Sequence, residues 1–386
     1  YDARTGTCQI AYMVRLPVIS VAPPAGMKTE VGSPRSLRSL ENQRLQHVLA
    51  ILIEITEDEH WIECSQREGR LEAFPRSTPV HLIRPRHVGR GRANSDSYDH
   101  HMRTLAIDIG GTKTAAGVVD NGEIVEHASW PTPASDGASH VLAEVINRTQ
   151  AWAKNVERCG VSFGGPFDFA TQTCVGSMHV PGWEDVRLSA ELSRALDVTV
   201  VTDNDANVAA LGEYAAAADA QRNPMLYVTL STGVGAALII NGELLRGAHS
   251  LAGELGHLNI GHGKQCNCGH TGCLERAISG YWIEHDHGVS ADQYLRDQDK
   301  FDTWINDLAQ GLWAVIVIAD PALIVLGGGM TAQGERLTTA LNARLTHLAA
   351  LAHRSAPVIS LGDPTGRTVL LGAAALAKED HRGLRG

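Results

Sequence analysis

Leu105-Ala106-Ile107-Asp108, followed by Gly110-Gly111-Thr112-Lys113, is the stretch that decides the fold. It reads as a buried strand running into a glycine turn. Ala115 to Val119 then form a second strand, Asn121-Gly122 a hairpin turn, and Ile124 to Ala128 a third strand. The same order returns downstream as strand Met225 to Leu230, turn Ser231-Thr232-Gly233-Val234-Gly235, strand Ala236 to Ile240, Asn241-Gly242, and Glu243 to Arg246. This is an internal repeat of architecture. A glycine turn between strands lets backbone N–H groups approach phosphate oxygens, and Thr112, Ser231 or Thr232 adds a hydroxyl donor. Two such turns can clamp the phosphates of a nucleotide. A strand, not a helix, follows each turn and neither ends in Gly-Lys-Ser/Thr, which excludes the dinucleotide fingerprint and the common P-loop. Asp108 at the strand end is placed to hold Mg2+ through water, and Lys113 either meets the phosphates or is solvated. A third cluster, Gly327-Gly328-Gly329, follows the buried strand Leu323 to Leu326 and suits a base or ribose lying against backbone.

Between the hairpins, Val198 to Thr202 form a strand that runs through Asp203-Asn204-Asp205 into an Ala-rich helix reaching about Ala218. Asp203 or Asn204 can serve as its cap. Phosphoryl transfer to an alcohol needs a carboxylate within hydrogen-bond reach of the hydroxyl, and an aspartate fixed at a strand-to-helix junction supplies it. Asp205 is read as the base and Asn204 as a sugar-hydroxyl ligand. Farther on, Glu254-Leu255-Gly256-His257 precedes Cys266-Asn267-Cys268-Gly269-His270-Thr271-Gly272-Cys273-Leu274-Glu275. Three thiolates and one imidazole make a closed tetrahedral Zn2+ set, with His262 and His270 competing for the fourth place. Such a structural zinc would fix Glu254, His257 and Glu275 together as acceptors for sugar hydroxyls. Cys8, Cys64, Cys159 and Cys174 are scattered and carry no pattern.

The chain of 386 residues, 44% hydrophobic, can bury a sizeable core in two or three domains. Its formal charge of -10 argues against a nucleic-acid or anionic-membrane partner and for a small-molecule one. The charge is unevenly spread: residues 1–101 hold 13 Lys and Arg against 12 Asp and Glu, and residues 102–386 hold 20 against 31. The most apolar run, Leu312 to Leu326, is cut by Asp320-Pro321, so no membrane span is expected, and the absence of a clean signal peptide gives a cytoplasmic reading. Residues 1–101 show little periodicity beyond a helical stretch from Leu37 to Ile55 and are expected to be disordered, or to lie upstream of a natural start at Met102.

Residues 102 to about 380 resemble the ROK family of sugar kinases and sugar-responsive repressors. The resemblance rests on Asp108-Ile109-Gly110-Gly111-Thr112-Lys113, Gly164-Gly165-Pro166, Pro181-Gly182-Trp183, Asn204-Asp205-Ala206-Asn207, Ser231-Thr232-Gly233-Val234-Gly235, Gly253-Glu254-Leu255-Gly256-His257 and the cysteine run through Glu275. It implies a two-lobed actin/hexokinase-like (ribonuclease H-like) α/β ATPase fold with a zinc loop. One lobe would be 102–218 with 367–380, the other 219–366. It further implies MgATP as donor and Asp205 as base. Sugar contacts would come from Gly165, Asn204, Asp205, Glu254, His257 and Glu275. Nucleotide contacts would come from Asp108, Gly110, Gly111, Thr112, Lys113, Thr232, Gly233, Gly328 and Gly329. Zinc would sit on His257, Cys266, Cys268 and Cys273, and the assembly would be a homodimer. The chain departs from the family at His179, which stands where an asparagine often contacts sugar, and in a loop between His257 and Cys266 about one residue short. Glu254 matches glucokinase-like members, whereas some bacterial N-acetylmannosamine kinases carry histidine there. Glucose, phosphorylated at its 6-hydroxyl, is therefore the expected acceptor and N-acetylmannosamine the alternative. The alternative of another class is a ROK-type regulator with an N-terminal winged helix-turn-helix. Thr56-Glu57-Asp58-Glu59-His60 would set carboxylates against DNA phosphates, so the enzyme is favoured.

Overall fold

The structure is a computed structural model that describes residues 64–67, 70–73, 103–177, 180–217 and 223–379. The chain divides into two compact units, Tyr1–Ala93 and Asn94–Gly386. In the first, β1 (Cys64–Arg67) and β2 (Arg70–Ala73) form an antiparallel hairpin with Cys64 opposite Ala73. The sequence reading has no element here, because four residues per strand are too few to establish a period. The expected helix at 37–55, the helix-turn-helix test, the expected disorder of most of residues 1–101, and His179 fall outside the described residues.

The second unit begins with β3 (Thr104–Ile109), β4 (Lys113–Asp120) and β5 (Glu123–Pro131). Then come α1 (Ala138–Ala153), β6 (Arg158–Phe163), the short pair β7 (Phe167–Asp168) and β8 (Thr173–Cys174), α2 (Leu188–Leu196), β9 (Thr199–Asn204) and α3 (Asp205–Ala216). Five strands form one sheet in the order β5-β4-β3-β6-β9, antiparallel at the two hairpin joints and parallel at the next two. α1 covers it with Val141, Val145, Thr149 and Ala153, a three-to-four-residue spacing that puts them on one helical face.

A second sheet repeats the first. It uses β10 (Met225–Leu230), β11 (Val234–Ile240) and β12 (Glu243–Leu244), then β13 (Leu323–Gly327) and β14 (Val358–Leu361), in the order β12-β11-β10-β13-β14. Between β12 and β13 lie α4 (Leu274–Ile278), α5 (Gly280–His287), α6 (Ala291–Tyr294) and α7 (Gln298–Ala319); α8 (Glu335–Leu351) links β13 to β14, and α9 (Arg367–Lys378) follows. Both hairpin turns have positive φ at both residues, Asn121 49° and Gly122 81°, Asn241 55° and Gly242 83°. That conformation selects Asn-Gly and matches strand twist. The apolar run from Leu312 resolves into the end of α7, a left-handed Asp320 and β13. Among the described residues no helix is long and apolar enough to cross a membrane.

α3 and α9 lie between the sheets. Val208 and Leu211 of α3 and Leu370, Ala373 and Leu376 of α9 share one core with Ala106 and Val201 of the first sheet and Met225, Ile239 and Val325 of the second. The helices cross where Gly212 faces Thr368 and Gly372 faces Val208 so closely that a Cβ at either glycine would collide with backbone oxygen. Alanine there would push the helices apart, a strain of about 1–3 kcal/mol. The helix carrying Asp205 is thereby locked to α9, and the shared core packs it against both sheets.

Candidate active site

Asp108 is the fifth residue of β3 and pairs with Ala115 of β4 and Ser162 of β6. Ser162 Oγ donates to Asp108 Oδ1 at 2.7 Å. Burial pushes its carboxyl up to about 6, against the Ser162 hydrogen bond and the charge of Lys113. The adjoining turn is held by its backbone, Gly110 N donating to Lys113 O at 3.1 Å, and by Thr132, whose hydroxyl donates to Gly110 O at 2.7 Å. Gly164 N donates to Ile109 O at 2.9 Å, so Gly164-Gly165 lies against the end of β3. Thr112 and Lys113 are exposed, open to a ligand.

The second turn is anchored differently. Glu275, in the first turn of α4, accepts from Val234 N at 2.8 Å, while Gly280 N and Tyr281 N donate to the carbonyls of Ser231 and Thr232 at 2.9 and 3.0 Å. Thr232 is exposed and Gly233 partly so. Gly328 and Gly329 leave β13 beside the end of β10: a Cβ at Gly328 would strike Leu230 O. The third glycine cluster therefore adjoins the second turn. A Cβ at Gly235 would lie 3.3 Å from the Ala206 Cβ, which places this turn against the first turn of α3.

Asp205 opens α3, and Asn204 caps the helix by accepting from Asn207 N at 2.8 Å. The Asn204 carbonyl is committed to the cap, leaving its amide NH2 to meet a ligand. Asp205 is open to solvent yet ringed by protein, and burial pushes its carboxyl up to about 6. The charge of Asp108 adds to the rise, the Ala206 N–H at 2.8 Å opposes it, and the charge of Glu254 contributes less. Glu254 is itself raised by burial, with His257 lowering it and Glu275 raising it. Tyr227 of β10 is raised by burial first and then by Asp205 and Glu213. Acidic groups of both lobes thus converge on Asp205. Close carboxylates lifted together form a donor set that a divalent cation relieves, which fits Mg2+ at Asp108.

The ligand atoms of His257, Cys266, Cys268 and Cys273 lie within 4.8 Å of one another, with Cys268 and Cys273 Sγ 3.6 Å apart. Three sulfurs and one imidazole nitrogen match a closed zinc site. The competing ligands fall away. His262 donates from Nε2 to Cys273 O at 2.9 Å and accepts at Nδ1 from Lys264 N at 3.2 Å, so both ring nitrogens are occupied. His270 is outside the cluster and lends its carbonyl to Cys266 N at 2.8 Å.

Sequence reading missed Ser162, Thr132 and Arg246, and took Asp203 only as a cap. Asp203 instead accepts from Arg246 Nε at 2.8 Å. No local pattern announces partners separated by 43 positions. Glu275, read as a sugar acceptor, also ties the cysteine loop to the second glycine turn.

The profile described as "ROK family" matches residues 104–380. An N-acetylmannosamine kinase of Vibrio cholerae is 30% identical over 260 residues, covering 63% of this chain and 90% of its own. A glucokinase of Halalkalibacterium halodurans is 32% identical over 272 residues, covering 60% and 82%. The crystal structure of a Streptomyces griseus glucokinase, solved with glucose and AMPPNP, superposes with a TM-score of 0.62 at 27% identity, covering 72% of this chain and 99% of its own.

Proposed function

This chain belongs to the ROK family, and from that premise we propose that it is an ATP-dependent sugar kinase whose preferred acceptor is the 6-hydroxyl of glucose. Its fold is the two-lobed actin/hexokinase-like α/β ATPase fold. The observation that carries the reading is Asp205: a carboxylate raised to about 6, at the start of a helix that touches the second of two duplicated glycine turns. Asp205 takes the proton of the attacking hydroxyl. The hydroxyl oxygen then bonds to the γ-phosphorus of ATP, the bond from that phosphorus to the β–γ bridging oxygen breaks, and ADP leaves. Asn204, Glu254, His257, Glu275 and the Gly165 backbone orient the sugar. Gly110, Gly111, Thr112, Lys113, Thr232, Gly233, Gly328 and Gly329 hold the nucleotide. Mg2+, when bound near Asp108, neutralises charge on the transferring phosphoryl group. The lobes, 102–218 with 367–380 and 219–366, close on substrate and exclude water that would hydrolyse ATP. His257, Cys266, Cys268 and Cys273 would hold Zn2+, which would keep Glu254 and Glu275 in place.

N-acetylmannosamine is the second reading, favoured by the kinase relative of that name. ADP release at saturating MgATP, compared over glucose, mannose, fructose, allose, N-acetylglucosamine and N-acetylmannosamine, separates the two. Glucose is expected to give the highest kcat/KM. An N-acetylated sugar ahead by about tenfold, roughly 1.4 kcal/mol of transition-state preference, reverses the assignment.

A further inference from the structure

Arg246 follows β12 on the second lobe, yet its largely covered guanidinium packs against the first. Its Nε donates to Asp203 Oδ2 at 2.8 Å and its Nη2 to Glu379 Oε2 at 3.0 Å, just past the end of α9. The guanidinium plane lies over the Phe169 ring, 3.8 Å from its centroid. The Asp203 side chain is 2% exposed and that of Arg246 19%, so this is no solvent-screened surface pair.

Asp203 immediately precedes the two residues assigned to sugar and proton. Its second oxygen, Oδ1, accepts from Asn204 N at 2.8 Å and from Asn207 Nδ2 at 2.9 Å. One carboxylate therefore carries three bonds: one oxygen takes the cation from the other lobe and the other grips the turn from both ends. Asn207 Oδ1 is buried without a partner, so the Asn207 side chain is held through its nitrogen alone. The loop after Arg246 is fastened at a second point, with Phe169 N donating to Ser250 Oγ at 3.2 Å. Ala252 N returns to Arg246 O at 3.1 Å, two residues before Glu254.

Resting on the kinase reading, we propose that Arg246 is a positioning residue that joins the lobes and, through Asp203, fixes the turn presenting Asn204 and Asp205. Removing the cation leaves a buried carboxylate uncompensated, and Asp203 then relaxes toward solvent and releases the turn. Arginine suits the position because different nitrogens serve two carboxylates while the plane stacks on an aromatic ring. Lysine offers one point charge.

The test uses full-length protein with Arg246→Met, Arg246→Lys and Glu379→Gln. It reads kcat per folded molecule, KM for ATP, and backbone hydrogen exchange over residues 203–207. Arg246→Met is expected to lower kcat by about 10- to 100-fold, the scale of a small misplacement of a catalytic group. KM for ATP should stay within about twofold, and exchange should quicken at 203–207 without quickening globally. Arg246→Lys should recover part of both losses, and Glu379→Gln, which removes one arm, should stay within about threefold of wild type. Unchanged exchange over 203–207 with kcat within about twofold in Arg246→Met overturns the proposal. So does a Glu379→Gln loss as large as that of Arg246→Met, which would move the role to the α9 tie. If Arg246→Met does not fold, Arg246→Lys decides by the same readouts. Should wild-type protein phosphorylate no sugar, the kinase reading fails, and the exchange arm still judges whether Arg246 holds the turn.

Discussion

The two sheets share one frame and differ in what stands at its ends. Each runs through two antiparallel joints and two parallel ones, β5-β4-β3-β6-β9 and β12-β11-β10-β13-β14. At the fifth residue of its leading strand the first sheet has Asp108 and the second Thr229. Each ends in a strand followed by a helix, α3 or α9, and the two helices cross at Gly212 and Gly372. Each junction carries an aspartate. Asp363 is fully partnered: Thr365 N and Oγ1 donate to Oδ1 at 2.9 and 2.7 Å, and Arg367 N donates to Oδ2 at 2.9 Å. Burial works against its charge, but the Thr365 side chain and the Thr365, Thr368 and Arg367 backbone N–H groups prevail and hold it below the usual carboxylate range. Asp205 has its own helix-start N–H groups and little else, and stands among like charges at about 6. One junction is arranged for stability. The other keeps a carboxylate raised by burial and like charges, which suits the base proposed for it.

Exchanging aspartate for asparagine at each junction should break that comparison most visibly. Asp205→Asn is expected to lower kcat by about 100-fold or more while leaving KM for ATP near wild type, because the proton acceptor is lost and the nucleotide turns are not. Asp363→Asn should leave kcat per folded molecule within about threefold, since this carboxylate holds only the turn and the helix start. Steady-state kinetics on both variants check this; an Asp205→Asn loss as small as that of Asp363→Asn would mean that Asp205 only supports its helix.

The lobes differ next in their dependence on metal. The second glycine turn is anchored through Glu275, two residues past Cys273, while the first is held by Thr132 and β-ladder bonds. Stoichiometric zinc is expected by elemental analysis. Chelation should cut turnover by about tenfold or more, because binding energy in such sites is largely folding energy. Hydrogen exchange should quicken around 231–235 and 254–275 and stay slow in β3 and β4. Full activity in metal-free protein removes the zinc assignment.

Much of this frame was legible because it is local. Asn-Gly turns, alternating strands and glycine pairs sit within about ten residues of one another, the range over which backbone preference and burial pattern speak. The same holds for the cysteine loop. What was not legible was the long-range wiring: Ser162 on Asp108 is 54 positions away, Arg246 on Asp203 43, and Val234 on Glu275 41. Such pairs are set by which strands become neighbours, and a polar residue awaiting a distant partner looks like any surface residue. The residue pattern alone left His262 and His270 open as fourth ligands; the family resemblance implied His257, and the folded loop supplies the physical reason, with His262 occupied at both ring nitrogens.

A pH profile sharpens the contrast between the junctions. Asp205 accepts a proton only as carboxylate, so kcat/KM for the sugar at saturating MgATP should fall with unit slope as pH drops below its acid limb. Burial is the larger cause of its rise and stays in place with nucleotide bound. The Asp108 contribution shrinks beside a cation. The limb is therefore expected at or just below about 6, above the ordinary 3.8. That is roughly a tenfold loss for each further unit of pH. Asp363→Asn should leave the limb where it is. A limb at the ordinary carboxylate value would show that Asp205 is not the group being titrated.

The smallest effect is the one whose sign is opposite at the two junctions. Asp205 has a folded-state pKa above its unfolded value, so its ionised form disfavours the fold; the penalty is full above about 6 and disappears as pH falls toward 3.8. Asp363 is depressed, so its contribution favours the fold above 3.8 and is lost as pH falls through the lower folded value. At neutral pH Asp205→Asn should therefore stabilise the protein even as it abolishes most turnover, and Asp363→Asn should destabilise it with turnover kept. The shift at Asp205 corresponds to roughly 3 kcal/mol before screening; its side chain is open to solvent, which reduces the expected gain to about 1 kcal/mol. Losing the bonds that Asp363 accepts from Arg367 N and Thr368 N at the helix start costs about 1 kcal/mol, the scale of a capping interaction. Urea unfolding of both variants at neutral pH and again at about pH 4 reads both signs, because the gain at Asp205 should fade at the lower pH. If Asp205→Asn is less stable than wild type at neutral pH, its carboxylate is a supporting cap, and the distinction between the two junctions fails at its most sensitive point.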